Sequence, residues 1–141
     1  MQRLDQDLAV LAARTLAGLP DDVDLTEFAN RMKQIPPMVM TSGLVATGAY
    51  LLARNASTTV EDPGSYRAVV EALLGDAAGF AGIAFDSDDP NDIVDALAAA
   101  TGRRYLVAEN RAKLFSTWLY RLAIARAKAA ASASGDGQDR P

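Results

Sequence analysis

The side chains that most often act as catalysts or zinc ligands are missing from this sequence. Its 141 residues include no histidine and no cysteine, which removes the imidazole base, the thiolate nucleophile and nearly every zinc site. Thr41-Ser42-Gly43 offers hydroxyl groups, but no histidine can activate them, and the lysines have no recognisable Ser-Lys spacing. We therefore expect no catalytic residue and a protein that is not an enzyme. A carboxylate-based enzyme is the weaker alternative, because no paired-acid motif supports it.

The one segment that resembles a metal loop is DSDDPNDIVD, which starts at Asp86. A calcium-binding EF-hand loop needs an oxygen ligand at its fifth position, glycine at its sixth and glutamate at its twelfth. Those positions hold Pro90, Asn91 and Leu97 here. The sequence therefore predicts no metal site and no cofactor. It favours an acidic loop whose Asp89 caps a helix that begins at Pro90.

Charge is distributed unevenly along the chain. The formal net charge is -4. Residues 76–95 contain six acids and no base, whereas residues 103–128 contain seven bases and one acid, Glu109. A mildly acidic total therefore conceals a basic C-terminal segment, which favours an anionic partner.

The spacing of apolar residues predicts an all-α fold with about six helices. Half of the residues are hydrophobic and only 6% are aromatic, and clusters of β-branched residues typical of strands are missing. The predicted helices begin near residues 2, 24, 37, 63, 90 and 103, and the last ends near residue 130. Asp24 and Asp62 are the predicted caps of the second and fourth helices. The core face of the fourth comprises Tyr66, Val69, Val70, Leu73, Leu74 and Ala77. We expect a single compact helical bundle over 1–130 and a flexible tail over 131–141, which is rich in small and polar residues.

The most apolar segment is MVMTSGLVATGAYLLAR, residues 38–54. It is too short and too interrupted by Thr41 and Ser42 for a membrane span, so we predict a buried helix at the centre of the bundle. Because residues three or four apart lie on the same side of an α-helix, two lines of residues can be traced along this segment. A small-residue line would let other helices pack closely, and comprises Ser42, Ala46, Ala49 and Ala53. A more polar line would stay open to a partner, and comprises Gly43, Thr47, Tyr50 and Arg54. Close packing is the simpler role for Gly43 and Gly48.

The last predicted helix has a core face and a basic face. The core face comprises Ala108, Ala112, Phe115, Trp118, Leu119 and Leu122. The opposite face carries Asn110, Lys113, Thr117, Arg121 and Lys128, which extend over roughly 27 Å. Together with Arg103 and Arg104, these residues suit a phosphate backbone. The alternative is that bases near a helix C-terminus interact favourably with the helix dipole.

Three segments in order resemble the small subunit of the type III-B CRISPR effector, the Cmr complex. They are RLDQDLAVLAA at the N-terminus, IPPMVMTSGLVATGAYLLAR over 35–54 and YLVAENRAKLFSTWLYRLAIARA over 105–127. The matching positions of the second segment are Pro36 or Pro37, Met38, Gly43, Leu44, Ala49, Tyr50, Leu51 and Arg54. Ser42 replaces the usual asparagine and Tyr50 the usual phenylalanine.

This resemblance implies a non-catalytic helical subunit of a cytoplasmic RNA-guided complex with no membrane contact. Its partners would be other Cmr subunits, stacked copies of itself, and the crRNA and target RNA inside the assembly. The expected RNA-binding residues are Arg54, Arg103, Arg104, Lys113, Arg121 and Lys128. The expected interface residues are Gly43, Thr47, Tyr50, Asp86, Asp88 and Asp89, of which the acidic members suit stacking on a neighbour's basic surface. The alternative function is a helical adaptor that binds only protein.

Overall fold

The structure, a computed structural model, describes residues 4–21, 23–56, 63–86 and 89–138. Its seven helices are α1 Leu4–Ala17, α2 Leu25–Met32, α3 Ile35–Ser42, α4 Leu44–Ala56, α5 Pro63–Phe80, α6 Pro90–Ala99 and α7 Gly102–Gln138. The described residues contain no strand, and the predicted all-α fold is confirmed. The segment expected to form one helix over residues 37–54 forms two, α3 and α4, which meet at Gly43.

Short-range signals set several helix ends. The Asp24 carboxylate accepts hydrogen bonds from the amides of Thr26 and Glu27 at 2.9 and 3.2 Å, and so caps α2. Asp89 accepts from the Asn91 amide at 2.9 Å and caps α6, as predicted. Both carboxylates satisfy amides that have no partner within their helix. Asp62, the predicted cap of α5, lies outside the described residues.

The end of α5 is a Schellman turn. Gly82 takes a φ of +73°, a conformation that glycine adopts without a side-chain penalty. The Ile83 amide donates to the Ala78 carbonyl at 2.9 Å, and the Gly82 amide donates to the Gly79 carbonyl at 3.1 Å. Ile83 is buried, while Phe80, the last residue of α5, is 57% exposed.

Helix α7 occupies the centre of the bundle and packs against α1, α2, α3 and α5. Its buried face contains Ala108, Ala112, Phe115, Leu119 and Ala123. Three of these five residues are alanines, which let the surrounding helices approach α7. The prediction that the segment 38–54 is central was therefore wrong. Helix α4 packs mainly on α5, with α3 and α6 beside it.

The buried face of α4 is not the predicted small-residue line. Leu44, Thr47, Gly48 and Leu51 are buried, at the i, i+3, i+4, i+7 spacing of one helical face. The line of Ser42, Ala46, Ala49 and Ala53 is exposed. This error has a physical reason: burying two leucines removes more apolar surface from water than burying alanines.

Gly48 confirms the predicted close packing at its position. A Cβ atom there would lie 3.1 Å from Leu74 Cδ1 and 3.2 Å from Val94 Cγ2. The missing side chain therefore lets α4 approach α5 and α6 closely.

Helix α7 extends past the expected end at Ala130 to Gln138. The flexible tail over 131–141 stays a prediction, as does the division into one domain and a tail. Among the described residues, none of the helices is long and apolar enough to cross a bilayer.

Candidate nucleic-acid interface

A line of polar and basic side chains runs along α7 on the side opposite the core. We call Arg103, Asn110, Arg121 and Lys128 the basic line; all four are exposed. Arg103 and Asn110 are seven residues apart, as are Arg121 and Lys128, and a seven-residue step returns to almost the same side of a helix. From Arg103 to Lys128 the line extends over about 37 Å at 1.5 Å per residue. It presents three cations and an amide along one surface.

Lys113 lies beside the basic line rather than on it. It is half-buried and lines a groove between α3 and α7 together with Val39, Met40, Leu106, Glu109 and Asn110. The exposed fractions of Met40 and Leu106 are 64% and 65%. Lys113 therefore shares a groove with an exposed apolar pair and with Asn110 of the basic line.

Arg104 faces a different side of α7 from the basic line. Its Nη1 atom donates to the Gly82 carbonyl at 3.2 Å, next to the end of α5. The side chain is nonetheless exposed. The structure thus separates Arg104 from Arg103, although the two are adjacent in sequence.

Arg111, one of the seven bases in the basic segment, is not available to a ligand. It is 8% exposed and donates to both carboxylate oxygens of Asp76, from Nε at 2.7 Å and from Nη2 at 3.0 Å. Its guanidinium carbon lies 4.5 Å from the centroid of the Phe80 ring. One base of the basic segment and one acid of the acidic segment therefore neutralise each other inside the fold.

The predicted partner-facing line on α3 and α4 is only partly exposed. Thr47 is fully buried, and its hydroxyl donates to the Gly43 carbonyl at 2.8 Å. Its assignment to an interface was therefore wrong, because no partner can reach it in this fold. Tyr50 is 37% exposed, and the exposed Arg54 guanidinium carbon lies 6.0 Å from its ring centroid. Tyr50 and Arg54 thus form one exposed pair on α4.

Gly43 has an internal role that differs from the predicted partner contact. Its φ is +91°, and a Cβ atom would lie 3.3 Å from the Tyr105 hydroxyl and 3.4 Å from Glu109 Oε2. The space beside Gly43 is therefore occupied by α7. This glycine lets the chain turn sharply between α3 and α4 while it contacts α7.

Two side chains of α7 cap the start of α4. The Leu44 amide donates to Glu109 Oε2 at 3.2 Å, and the Val45 amide donates to the Tyr105 hydroxyl at 3.1 Å. Burial raises the pKa of Tyr105 above its ordinary value, and the neighbouring Glu109 carboxylate raises it further. The sequence does not predict this contact, because a cap supplied from about 60 residues away leaves no local signal.

The acidic segment is concentrated around the start of α6. Asp89 is the helix cap, Asp86 is exposed, and Asp88 lies outside the described residues. Partial burial raises the pKa of Asp92, and the carboxylates of Asp89, Asp86 and Asp95 raise it further. Among the described residues no group of acidic side chains is arranged to hold a metal ion. The result is a surface of mutually repelling carboxylates.

Basic and acidic surfaces on separate helices define a small all-α protein with two oppositely charged faces. The chain belongs to a family of CRISPR-associated proteins, because the family model of the CRISPR-associated protein (Cas_Cmr5) matches residues 4–126. The resemblance to the small subunit of the Cmr complex is thereby confirmed. The match extends from the start of α1 far into α7 and ends just before Lys128. No curated protein and no solved structure matches the chain.

Proposed function

We propose that this protein is a non-catalytic small subunit of a type III-B RNA-guided effector that targets RNA. In this proposal, copies of the subunit stack inside the effector, in the cytoplasm, and α7 lines the channel that holds the guide and target RNA. The observation that carries the proposal is the basic line on the side of α7 opposite the core. A membrane has no part in it.

The geometry of the basic line suits a nucleic-acid backbone. Arg103, Arg121 and Lys128 supply positive charge over about 37 Å, and Asn110 adds a hydrogen-bond donor between them. Because the sequence pI is about 4.7, the free subunit should bind RNA weakly at physiological salt. RNA contact is therefore expected mainly in the assembled effector, where neighbouring subunits add their own charges.

Stacking of copies is supported by the acidic surface near α6. Asp86, Asp92 and Asp95 repel one another, and a neighbour's cations would relieve that repulsion. Because a neighbour's carboxylates would compete with RNA for the basic line, stacking is expected to use cations elsewhere on the subunit.

The groove between α3 and α7 supports a contact with another protein subunit. Met40 and Leu106 are both more than 60% exposed, and large apolar side chains on a rim of polar groups are typical of protein interfaces. This observation also favours the second candidate function, an adaptor that binds only protein. Changing Met40 to serine should then lower the amount of subunit in the effector without changing RNA affinity.

The RNA proposal is tested in an effector assembled with the triple variant Arg103→Ala, Arg121→Ala, Lys128→Ala. If three phosphate contacts are lost, target-RNA affinity should fall, and the slope of log affinity against log salt should decrease in magnitude by about 2. The matched control is Arg67→Ala, an exposed base of α5 that pairs with Glu71 at 3.1 Å. Unchanged affinity and slope in a complete effector would exclude the basic line as an RNA contact and favour the adaptor.

A further inference from the structure

Phe80 is an aromatic side chain held in place at the surface. It is the last residue of α5 and is 57% exposed. The Arg111 guanidinium lies 4.5 Å from its ring centroid, and two hydrogen bonds to Asp76 fix that guanidinium. The ring is therefore stacked on a rigid, charged base, while more than half of its side chain faces solvent.

The surroundings of Phe80 leave room for a ligand. A Cβ atom added at Gly79 or Gly82 would meet no atom within 4 Å. We call the surface formed by Phe80, Gly82 and Arg104 the α5–α7 corner. Apart from the neighbours in sequence, no described side chain comes within 4 Å of either added atom.

The α5–α7 corner is electrostatically suited to an anion. Arg104 is exposed, and its hydrogen bond to the Gly82 carbonyl uses only one of the five N–H donors of a guanidinium. Asp76, the acid nearest to Phe80 in sequence, is already paired with Arg111. Arg104 therefore retains donors and positive charge for a phosphate next to Gly82, two residues from Phe80.

We propose that an unpaired base of RNA stacks on Phe80 while Arg104 contacts an adjacent phosphate. Aromatic side chains bind single-stranded nucleic acid in this way because every base has a flat π face. A guanidinium on one side of the ring and a base on the other would form a continuous stack. This inference rests on the proposed function, since it requires RNA to pass the subunit, and it adds a second contact away from the basic line.

The experiment compares effectors that carry Phe80→Leu or Phe80→Trp. Leucine keeps an apolar side chain but has no π face, whereas tryptophan keeps a stacking surface. For Phe80→Leu we expect target-RNA affinity to fall at least about fivefold with an unchanged salt slope, because stacking releases no counterions. Phe80→Trp should keep wild-type affinity.

Arg104→Ala should lower both the target-RNA affinity and the salt slope, because it removes a phosphate contact. Val10→Ala, at another exposed apolar position, is the control.

Direct evidence would come from photo-crosslinking with target RNA that contains 4-thiouridine. The inference predicts a crosslink at Phe80 that is lost in Phe80→Leu. Wild-type affinity for Phe80→Leu would overturn it. Loss of subunit copies from the Phe80→Leu effector, measured by native mass spectrometry, would also overturn it and identify the corner as a protein contact. If the triple variant of the basic line lowers target-RNA affinity but Phe80→Leu does not, only this inference fails. If neither variant lowers target-RNA affinity, the proposed function fails as well.

Discussion

Arg111 and Asp76 form a buried bidentate ion pair that joins α7 to α5. Their two hydrogen bonds measure 2.7 and 3.0 Å, and the exposed fractions of the two side chains are 8% and 18%. The pair lies directly behind Phe80, so it both connects the two helices and supports the exposed ring. Removing either partner would leave the other as an unpaired charge in a largely dry site.

Changing Arg111 to alanine should lower the free energy of unfolding by about 3 kcal/mol or more, because it strands the Asp76 carboxylate. Changing both residues to apolar side chains of similar size, Arg111→Met with Asp76→Leu, should cost less than the single change. Urea unfolding followed by circular dichroism measures both effects. The control is Arg67→Ala, which breaks an exposed pair and should cost less than about 1 kcal/mol. Equal losses for Arg111→Ala and Arg67→Ala would contradict the prediction.

Gly43 should be intolerant of any side chain. Its φ of +91° and ψ of 166° fall in a region occupied essentially by glycine alone, and a Cβ atom would press on Tyr105 and Glu109. Gly43→Ala should therefore lower the free energy of unfolding by about 1–3 kcal/mol, measured by urea unfolding.

Gly79→Ala is the matched control for Gly43→Ala. Gly79 is helical, and an added Cβ atom would meet nothing within 4 Å. The same substitution should therefore be neutral or slightly stabilising there, by up to about 1 kcal/mol. A Gly43→Ala protein as stable as Gly79→Ala would show that α3 and α4 can join without the sharp turn.

Local patterns predicted the parts of the fold that local physics determines. The apolar spacing of α5 predicted Val69, Val70, Leu73 and Leu74 as a buried face, and all four are at most 1% exposed. The side chain of Tyr66, predicted on the same face, lies outside the described residues. The caps at Asp24 and Asp89 were also predictable, because a cap and its amides lie within three residues of each other.

Relationships between distant segments could not be predicted in this way. Arg111 and Asp76 are 35 residues apart, so charge patterning counts them in two separate segments and does not predict their pairing. Apolar spacing continues across Gly43, so the sequence predicts a single helix over 38–54 and gives no sign of the break. Consequently Thr47 was placed on an open edge, and Ala46, Ala49 and Ala53 were placed inside.

Tyr105 should contribute to stability through the cap on α4, and this contribution should depend on pH. Tyr105→Phe removes the acceptor of the Val45 amide and should cost about 1 kcal/mol at neutral pH. Burial raises the pKa of Tyr105 above 10.0, so the folded state favours the neutral phenol. That contribution is complete below about pH 10 and is lost as pH rises through the folded-state pKa. The difference in unfolding free energy between wild type and Tyr105→Phe should therefore shrink in alkali.

Tyr50→Phe is the control for this alkaline experiment. Tyr50 lies on α4 and is 37% exposed. None of the described backbone amides donates a hydrogen bond to its hydroxyl group. Its substitution should change the unfolding free energy by less than about 0.5 kcal/mol. If the difference in unfolding free energy between wild type and Tyr105→Phe stays constant up to pH 12, ionisation of Tyr105 does not destabilise the folded state.

The acidic surface at α6 should lower the stability of the free subunit at neutral pH. Partial burial and the carboxylates of Asp89, Asp86 and Asp95 raise the pKa of Asp92 above 3.8, so the folded state prefers the protonated form. The stability linked to this group is complete below the ordinary pKa and is lost as pH rises through the folded-state value. Asp95→Asn removes one repelling charge from an exposed position, so it should raise the melting temperature at pH 7 and leave it unchanged at pH 3.

Added salt should shrink the gain in melting temperature of Asp95→Asn at pH 7 by screening the same repulsion. Asp21→Asn, which removes a charge outside this cluster, should produce no such pH-dependent gain. An equal gain for Asp95→Asn at pH 3 would mean that carboxylate repulsion is not its cause.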